Sequence, residues 1–144
     1  HVRSRRQRQM CIRDRLSVLP DRIEAEVRVL DPAYRTTSPE LIAQVLVQFP
    51  TIPFHTCRNE AGPTFSAVME NTSLPHLLEH LVIDIQTRAH AEREDEATDP
   101  VFTGTTQWSA TMRDVAIVRV SFYDDLIALG AFKQALHFIN QELA

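Results

Sequence analysis

The sequence predicts an α+β fold, a two-layer domain in which a small, mostly antiparallel sheet packs against about four helices. The chain of 144 residues is 44% hydrophobic and 24% charged, which is ordinary for one globular domain. The predicted elements follow the order β-α-α-α-β-β-α, which leaves little opportunity for repeated βαβ crossovers. The longest uncharged stretch, residues 41–54, is interrupted by glutamines and prolines, so we expect no membrane-spanning segment.

The first fifteen residues are expected to be foreign to this domain. Six of the 15 basic residues and one of the 19 acidic residues lie there, so the remainder has nine basic against eighteen acidic residues, a net charge of −9. Residues 5–14 are similar to the in-frame translation of a common transposon-type sequencing adapter. We therefore interpret residues 1–15 as an adapter-derived, disordered segment and residues 16–144 as the domain. The acidity of the domain argues against a nucleic-acid partner.

Hydrophobic periodicity assigns the elements of the first two thirds of the domain. Alternating apolar and charged residues over 23–29 predict a half-buried strand. Apolar residues at helical spacing predict a helix over 39–49, with Ser38 as its N-cap, and a short helix near 65–70. The longest helix is predicted from about residue 75 to 92.

The last third contains two strands and a helix. Residues 91–99 are acidic and polar, which is typical of an exposed loop. Residues 101–109 and 113–123 predict two strands that can pair through a turn at 110–112. Asp124 then caps a final helix that carries one apolar stripe.

One motif on the longest predicted helix contains residues that can bind a metal ion and transfer a proton. The sequence His76-Leu77-Leu78-Glu79-His80 has the H-x-x-E-H pattern of inverted zincins. Residues four apart lie one above the other on a helix, so His76 and His80 can bind one metal ion, and zinc is the metal that we predict. Glu79 lies on the same side, where it can act as general base towards a water. Asp84, at the flank of this face, is the predicted third ligand.

The face that carries the motif is predicted to point away from the core, towards a cleft or solvent. A helical wheel places the leucines of the helix on the opposite side and His90 on the solvated side. His55 and Cys57, in the preceding loop, could form a soft metal site, but we interpret them as packing residues, with His55 as an extra contact near the helix. A solvated His/Glu face without any metal is the alternative interpretation.

The chain from residue 29 to 143 resembles the N-terminal domain of cyanophycin synthetase. The similarity is carried by Phe49-Pro50, His55-Thr56-Cys57, Gly62 and Phe65, the central segment 74–86, and the strand 115–123 followed by Asp124-Asp125. The central segment is its most specific part. In that family the domain precedes an ATP-grasp module and a Mur-ligase-like module, which bind ATP and polymerise aspartate and arginine.

Two cysteines cannot form a disulfide scaffold, so the composition predicts a soluble, cytoplasmic domain. The resemblance implies that this domain binds an Asp/Arg polypeptide. In some family members the H-x-x-E-H helix cuts polymer into primers, which implies that His76 and His80 are metal ligands and Glu79 the base. Two departures stand out. Asp84 replaces a glutamate of the family, and residues 101–106 lack both arginines of the family segment Gly-Phe-Gly-Arg-Thr-Arg.

The sequence therefore predicts the polymer-binding module of a cyanophycin-synthetase-like, ATP-dependent ligase with a zinc-dependent, peptidase-like site. The first alternative is a non-catalytic docking or scaffold domain in which the H-x-x-E-H helix is vestigial. The second is an unrelated small α+β interaction protein.

Overall fold

A single four-stranded antiparallel sheet is the centre of the fold. The computed structural model describes residues 11–57, 59–92 and 101–143, and within them the strand order is β1-β2-β4-β3. The strands are β1 (Ile12–Val18), β2 (Arg22–Val29), β3 (Gly104–Trp108) and β4 (Val115–Ser121). The central pair β2–β4 joins segments from opposite halves of the chain, with Ile23 opposite Val120.

Three α-helices and three short 3-10 helices complete the described part of the chain. They are α1 (Pro39–Gln48), α2 (Leu74–Ala91) and α3 (Asp125–Glu142), and the 3-10 helices Pro32–Tyr34, Ile52–Phe54 and Phe65–Ala67. Both predicted N-caps are confirmed. The Ser38 hydroxyl accepts a hydrogen bond from the Leu41 N–H, and the Asp124 carboxylate accepts from the first turn of α3. The α+β prediction is thus confirmed, with a 3-10 turn in place of the predicted helix near 65–70.

The sheet buries one face and exposes the other. Alternate residues of β2 (Ile23, Ala25 and Val27) are fully buried, because their side chains face the helices. On the opposite face, Glu24 pairs with Arg119 of β4 at 2.8 Å. The helix α2 packs on β3 and β4, and α3 packs on β1 and β2. The strand β3 is therefore both the sheet edge and a neighbour of the H-x-x-E-H helix.

The expectation that the chain is disordered up to residue 15 is wrong for residues 11–15; residues 1–10 lie outside the described residues. Residues 12–15 form the first half of β1, which pairs antiparallel with β2. Cys11 and Ile12 are buried, at 1% and 0% exposure. The buried side chain of Asn140 on α3 bonds to this segment, accepting from the N–H groups of Cys11 (2.7 Å) and Ile12 (3.1 Å) and donating to the Ile12 carbonyl (2.9 Å).

The polar face of α2, predicted to point towards a cleft or solvent, is largely buried rather than solvated, although His76 and Glu79 line a cleft. Glu79 is 5% exposed, His80 1% and His90 2%. The loop between α1 and α2 covers part of this face, and His90 packs on the rings of Phe102 and Tyr123. Residues 93–99 of the predicted acidic loop lie outside the described residues. Within the described ranges, no helix combines the length and apolar character that crossing a bilayer requires.

Candidate metal centre

Three potential metal ligands meet at the N-terminal half of α2. The ligand atoms of Cys57, His76 and His80 all lie within 4.8 Å of one another. Nε2 of His76 is 3.4 Å from the Cys57 sulfur, and its Nδ1 hydrogen-bonds with the Thr72 hydroxyl at 2.9 Å. One thiol sulfur and two imidazole nitrogens form a ligand set that zinc favours.

The loop before α2 brings Cys57 to the two histidines. An isolated β-bridge joins Thr56 to Thr64, and the Cys57 N–H donates to the Pro63 carbonyl at 3.1 Å. At the end of this loop, the Phe65 ring stacks on the His80 ring with centroids 4.0 Å apart. The loop therefore covers α2 and holds the thiol against the first turns of the helix.

The burial of these ligands affects their protonation. Burial lowers the pKa of His76, and it lowers the pKa of His80 to about 3, with further contributions from His76 and His55. Both imidazoles are therefore neutral near pH 7, the form that binds metals. Burial raises the pKa of the Cys57 thiol, so zinc binding would release its proton.

Nε2 of His80 is a buried polar atom without a hydrogen-bond partner among the described residues. Buried ring nitrogens normally have a partner, because an unsatisfied buried polar group costs about 1–3 kcal/mol. His80 belongs to the three-ligand group with Cys57 and His76, and its Nδ1 is in contact with His55, so Nε2 is the ring nitrogen left for a metal ion. A metal ion bound there would satisfy it, so the residues present fit a zinc site.

Glu79 lies beside this group without belonging to it. Its Oε2 is 3.6 Å from Nε2 of His80, and its Oε1 accepts a hydrogen bond from the Thr106 hydroxyl at 2.8 Å. Burial raises the pKa of Glu79 to about 7, although the Thr106 hydrogen bond opposes this shift. The carboxyl group is thus next to the potential ligands and hydrogen-bonded to Thr106 of β3, a suitable position for a general base.

A cleft of about 870 Å³ connects this centre with solvent. One wall includes His76 and Glu79 of α2, and the other is formed by residues 101–108, which include β3. The wall at Gly104 is close to Glu79: a Cβ atom added to this glycine would lie 2.8 Å from Cγ of Glu79. The glycine therefore lets the carboxyl side chain lie directly against the strand.

Asp84, the predicted third ligand, is not part of the three-ligand group. Its Oδ1 accepts a hydrogen bond from the Thr51 hydroxyl at 2.7 Å and lies 3.5 Å from Nε2 of His55. Its Oδ2 lies 2.8 Å from Nε of Arg88. Burial acts to raise the pKa of Asp84, but the contacts with His55, Thr51 and Arg88 outweigh it and lower the pKa.

The structure thus brings together His76, Glu79 and His80 as the spacing predicts, and it places Cys57 where Asp84 was expected. The position of Cys57 depends on how a loop folds back on α2, which motif spacing does not reveal. The one sequence signal is that Cys57 stands two residues after His55 in a proline-bounded loop. His55 also lies next to the site, with its Nδ1 3.0 Å from Nδ1 of His80.

The resemblance to cyanophycin synthetase stays a prediction. Comparison of the chain with protein-family models, with curated proteins and with solved structures gave no match in any of the three.

Proposed function

We propose that this protein is a zinc-dependent hydrolase that cleaves an extended polypeptide. The observation that carries the proposal is the group of Cys57, His76 and His80, in which Cys57 and His80 are buried and Nε2 of His80 has no hydrogen-bond partner in the described part of the chain. Glu79 adjoins this group at the wall of an open cleft. Three protein ligands beside a carboxylate are typical of catalytic zinc sites, which keep a further position for water or substrate.

In the proposed hydrolysis, the metal and the side chains have different roles. Zinc, when bound, supplies a Lewis acid that lowers the pKa of water and polarises a carbonyl group. Glu79 accepts the proton of the attacking water and returns it to the leaving amine. The Thr106 hydroxyl holds one carboxyl oxygen of Glu79 in place, so the other oxygen is available for proton transfer.

The open edge of β3 favours a polypeptide substrate. Thr103 and Ser109, which flank β3, both hydrogen-bond to the backbone at the ends of β4. Because bonding alternates along an antiparallel pair, the backbone groups of Gly104, Thr106 and Trp108 point to the other side. Within the described ranges β3 is the last strand on that side. An extended chain can add to such an edge as a further strand and would run past Glu79.

The resemblance and the charge of the domain favour an arginine-bearing polymer within this class. With residues 1–10 left out, the chain has 11 basic against 19 acidic residues, a net charge of −8, which favours association with the guanidinium groups of an arginine-bearing substrate. The proposed substrate is therefore an Asp/Arg polypeptide of the cyanophycin type. In this proposal the domain is the N-terminal module of a cytoplasmic, ATP-dependent ligase and provides primers for it.

Metal analysis and polymer cleavage test the proposal together. Protein purified without chelators should contain about one zinc ion per chain, and His76→Ala should remove it. Glu79→Gln should retain the zinc and lower the cleavage of cyanophycin by about 10²- to 10⁴-fold. Glu70→Gln, at an exposed carboxylate before α2, is the matched control and should cleave at the wild-type rate.

Three results would overturn the hydrolase proposal. The first is protein without zinc, and the second is unchanged zinc content in His76→Ala. The third is polymer that binds without being cleaved and still binds after the joint replacement of His76, Glu79 and His80, which would identify a docking module.

A further inference from the structure

A line of three side chains leads from a buried carboxylate to the metal centre. Oδ1 of Asp84 faces Nε2 of His55 at 3.5 Å, and Nδ1 of His55 hydrogen-bonds with Nδ1 of His80 at 3.0 Å. His80 belongs to the three-ligand group, and its opposite ring nitrogen, Nε2, is buried without a hydrogen-bond partner among the described residues. The His55 side chain is 17% exposed and that of Asp84 is 4% exposed, so this line is largely shielded from water.

The charge of Asp84 fixes which ring nitrogens carry protons along this line. A neutral His55 places an N–H, rather than a lone pair, opposite a carboxylate, so its proton is on Nε2. Its Nδ1 is then a hydrogen-bond acceptor. The hydrogen bond between the two rings therefore needs the proton of His80 on Nδ1, which leaves the lone pair of His80 on Nε2, the ring nitrogen without a partner among the described residues.

We propose that Asp84 and His55 are positioning residues that hold His80 in the tautomer and ring orientation required for metal binding. This inference rests on the zinc site of the proposed function and assigns roles to two residues outside the ligand group. Metal-binding histidines commonly donate their second ring N–H to such a partner, and loss of the partner lowers metal affinity by about 10- to 100-fold. Here the partner is a second imidazole, and the carboxylate acts through it.

The surroundings of Asp84 hold its carboxylate in place for this role. The Thr51 hydroxyl donates to Oδ1 at 2.7 Å, so this oxygen is fixed on the side that faces His55. Arg88, one helical turn after Asp84, lies 2.8 Å from Oδ2 and favours the charged form. Asp84 follows His80 on α2 by four residues, about one helical turn. The His55 ring lies between these two side chains and contacts both.

The first experiment measures the tautomers in the metal-free protein. Long-range ¹H–¹⁵N NMR spectra at neutral pH should show His80 protonated on Nδ1 and His55 protonated on Nε2. A role in stability alone would not determine these positions. A His80 proton on Nε2 would overturn the proposal, and this measurement requires neither a substituted protein nor bound zinc.

The second experiment measures zinc affinity by competition with a chelator. His55→Ala should lower the affinity by about 10- to 100-fold, and Asp84→Asn should lower it to a smaller extent. His55→Asn should recover part of the loss, because its amide oxygen takes the place of Nδ1 as acceptor for His80. His137→Ala, at an exposed histidine of α3, is the matched control and should bind zinc like the wild type.

The two proposals can fail separately. Wild-type zinc affinity in His55→Ala would overturn the positioning role and leave the metal site intact. A wild-type chain that binds no zinc would overturn the proposed function, and the tautomers of the metal-free protein would then decide the positioning role alone.

Discussion

Replacement of Asn140 by alanine should detach the start of β1 from α3. The Asn140 side chain makes three hydrogen bonds with the backbone of Cys11 and Ile12, at 2.7, 3.1 and 2.9 Å. Each such bond contributes about 1 kcal/mol net, and more where the partner stays buried and unsatisfied. Asn140→Ala should therefore lower the free energy of unfolding by about 3 kcal/mol.

Urea denaturation followed by circular dichroism measures this change. Gln134→Ala, at an exposed position of the same helix, is the control and should change stability by less than about 0.5 kcal/mol. A loss below about 1 kcal/mol in Asn140→Ala would be less than one typical hydrogen bond. It would refute the conclusion that α3 holds residues 11 and 12 in the sheet.

Three further predictions concern a close contact, a helix and a buried thiol. Gly104→Ala should lower the free energy of unfolding by about 1–3 kcal/mol in urea titrations, since the new Cβ would lie 2.8 Å from Glu79 Cγ; unchanged stability would contradict this packing. Gly130→Ala should instead raise the free energy of unfolding by about 0.5–1 kcal/mol, because the new Cβ atom would have open space around it to 4 Å and alanine favours the helix. A loss of stability in the same titrations would refute this. Burial, together with Asp31, raises the pKa of Cys11 from 9.0 to about 11. The unfolded chain thus loses this thiol proton first, so stability should fall as the pH rises from 9 to 11, and Cys11→Ala should lessen that fall; equal slopes in wild type and variant would contradict it.

The helices could be predicted from the sequence because their signals are local. Ser38 and Asp124 cap α1 and α3 as expected, since a capping side chain bonds to N–H groups within three residues. The spacing of His76 and His80 places both rings on one side of α2 for the same reason. The ring centroids are 5.0 Å apart.

The place of Cys57 beside the two histidines and the burial of this group could not be predicted, because both depend on contacts between distant segments. A helical wheel describes one helix and cannot show that Phe65 stacks on His80 or that Cys57 folds back on His76. The first strand was missed for a different reason. Its composition resembles an adapter translation, whereas its pairing with β2 and its bonds to Asn140 are set by segments elsewhere in the chain.

The pairing of β2 with β4 has a consequence for synthesis of the protein. Residues 22–28 of β2 can pair with β4 only after residues 115–121 have been synthesised. The helix α2, with its histidines, is therefore synthesised well before the strands on which it packs can pair. Thr106, which hydrogen-bonds to Glu79, lies on β3, and within the described ranges β3 pairs with β4. The candidate metal centre should consequently form late, after residues 115–121 have left the exit tunnel.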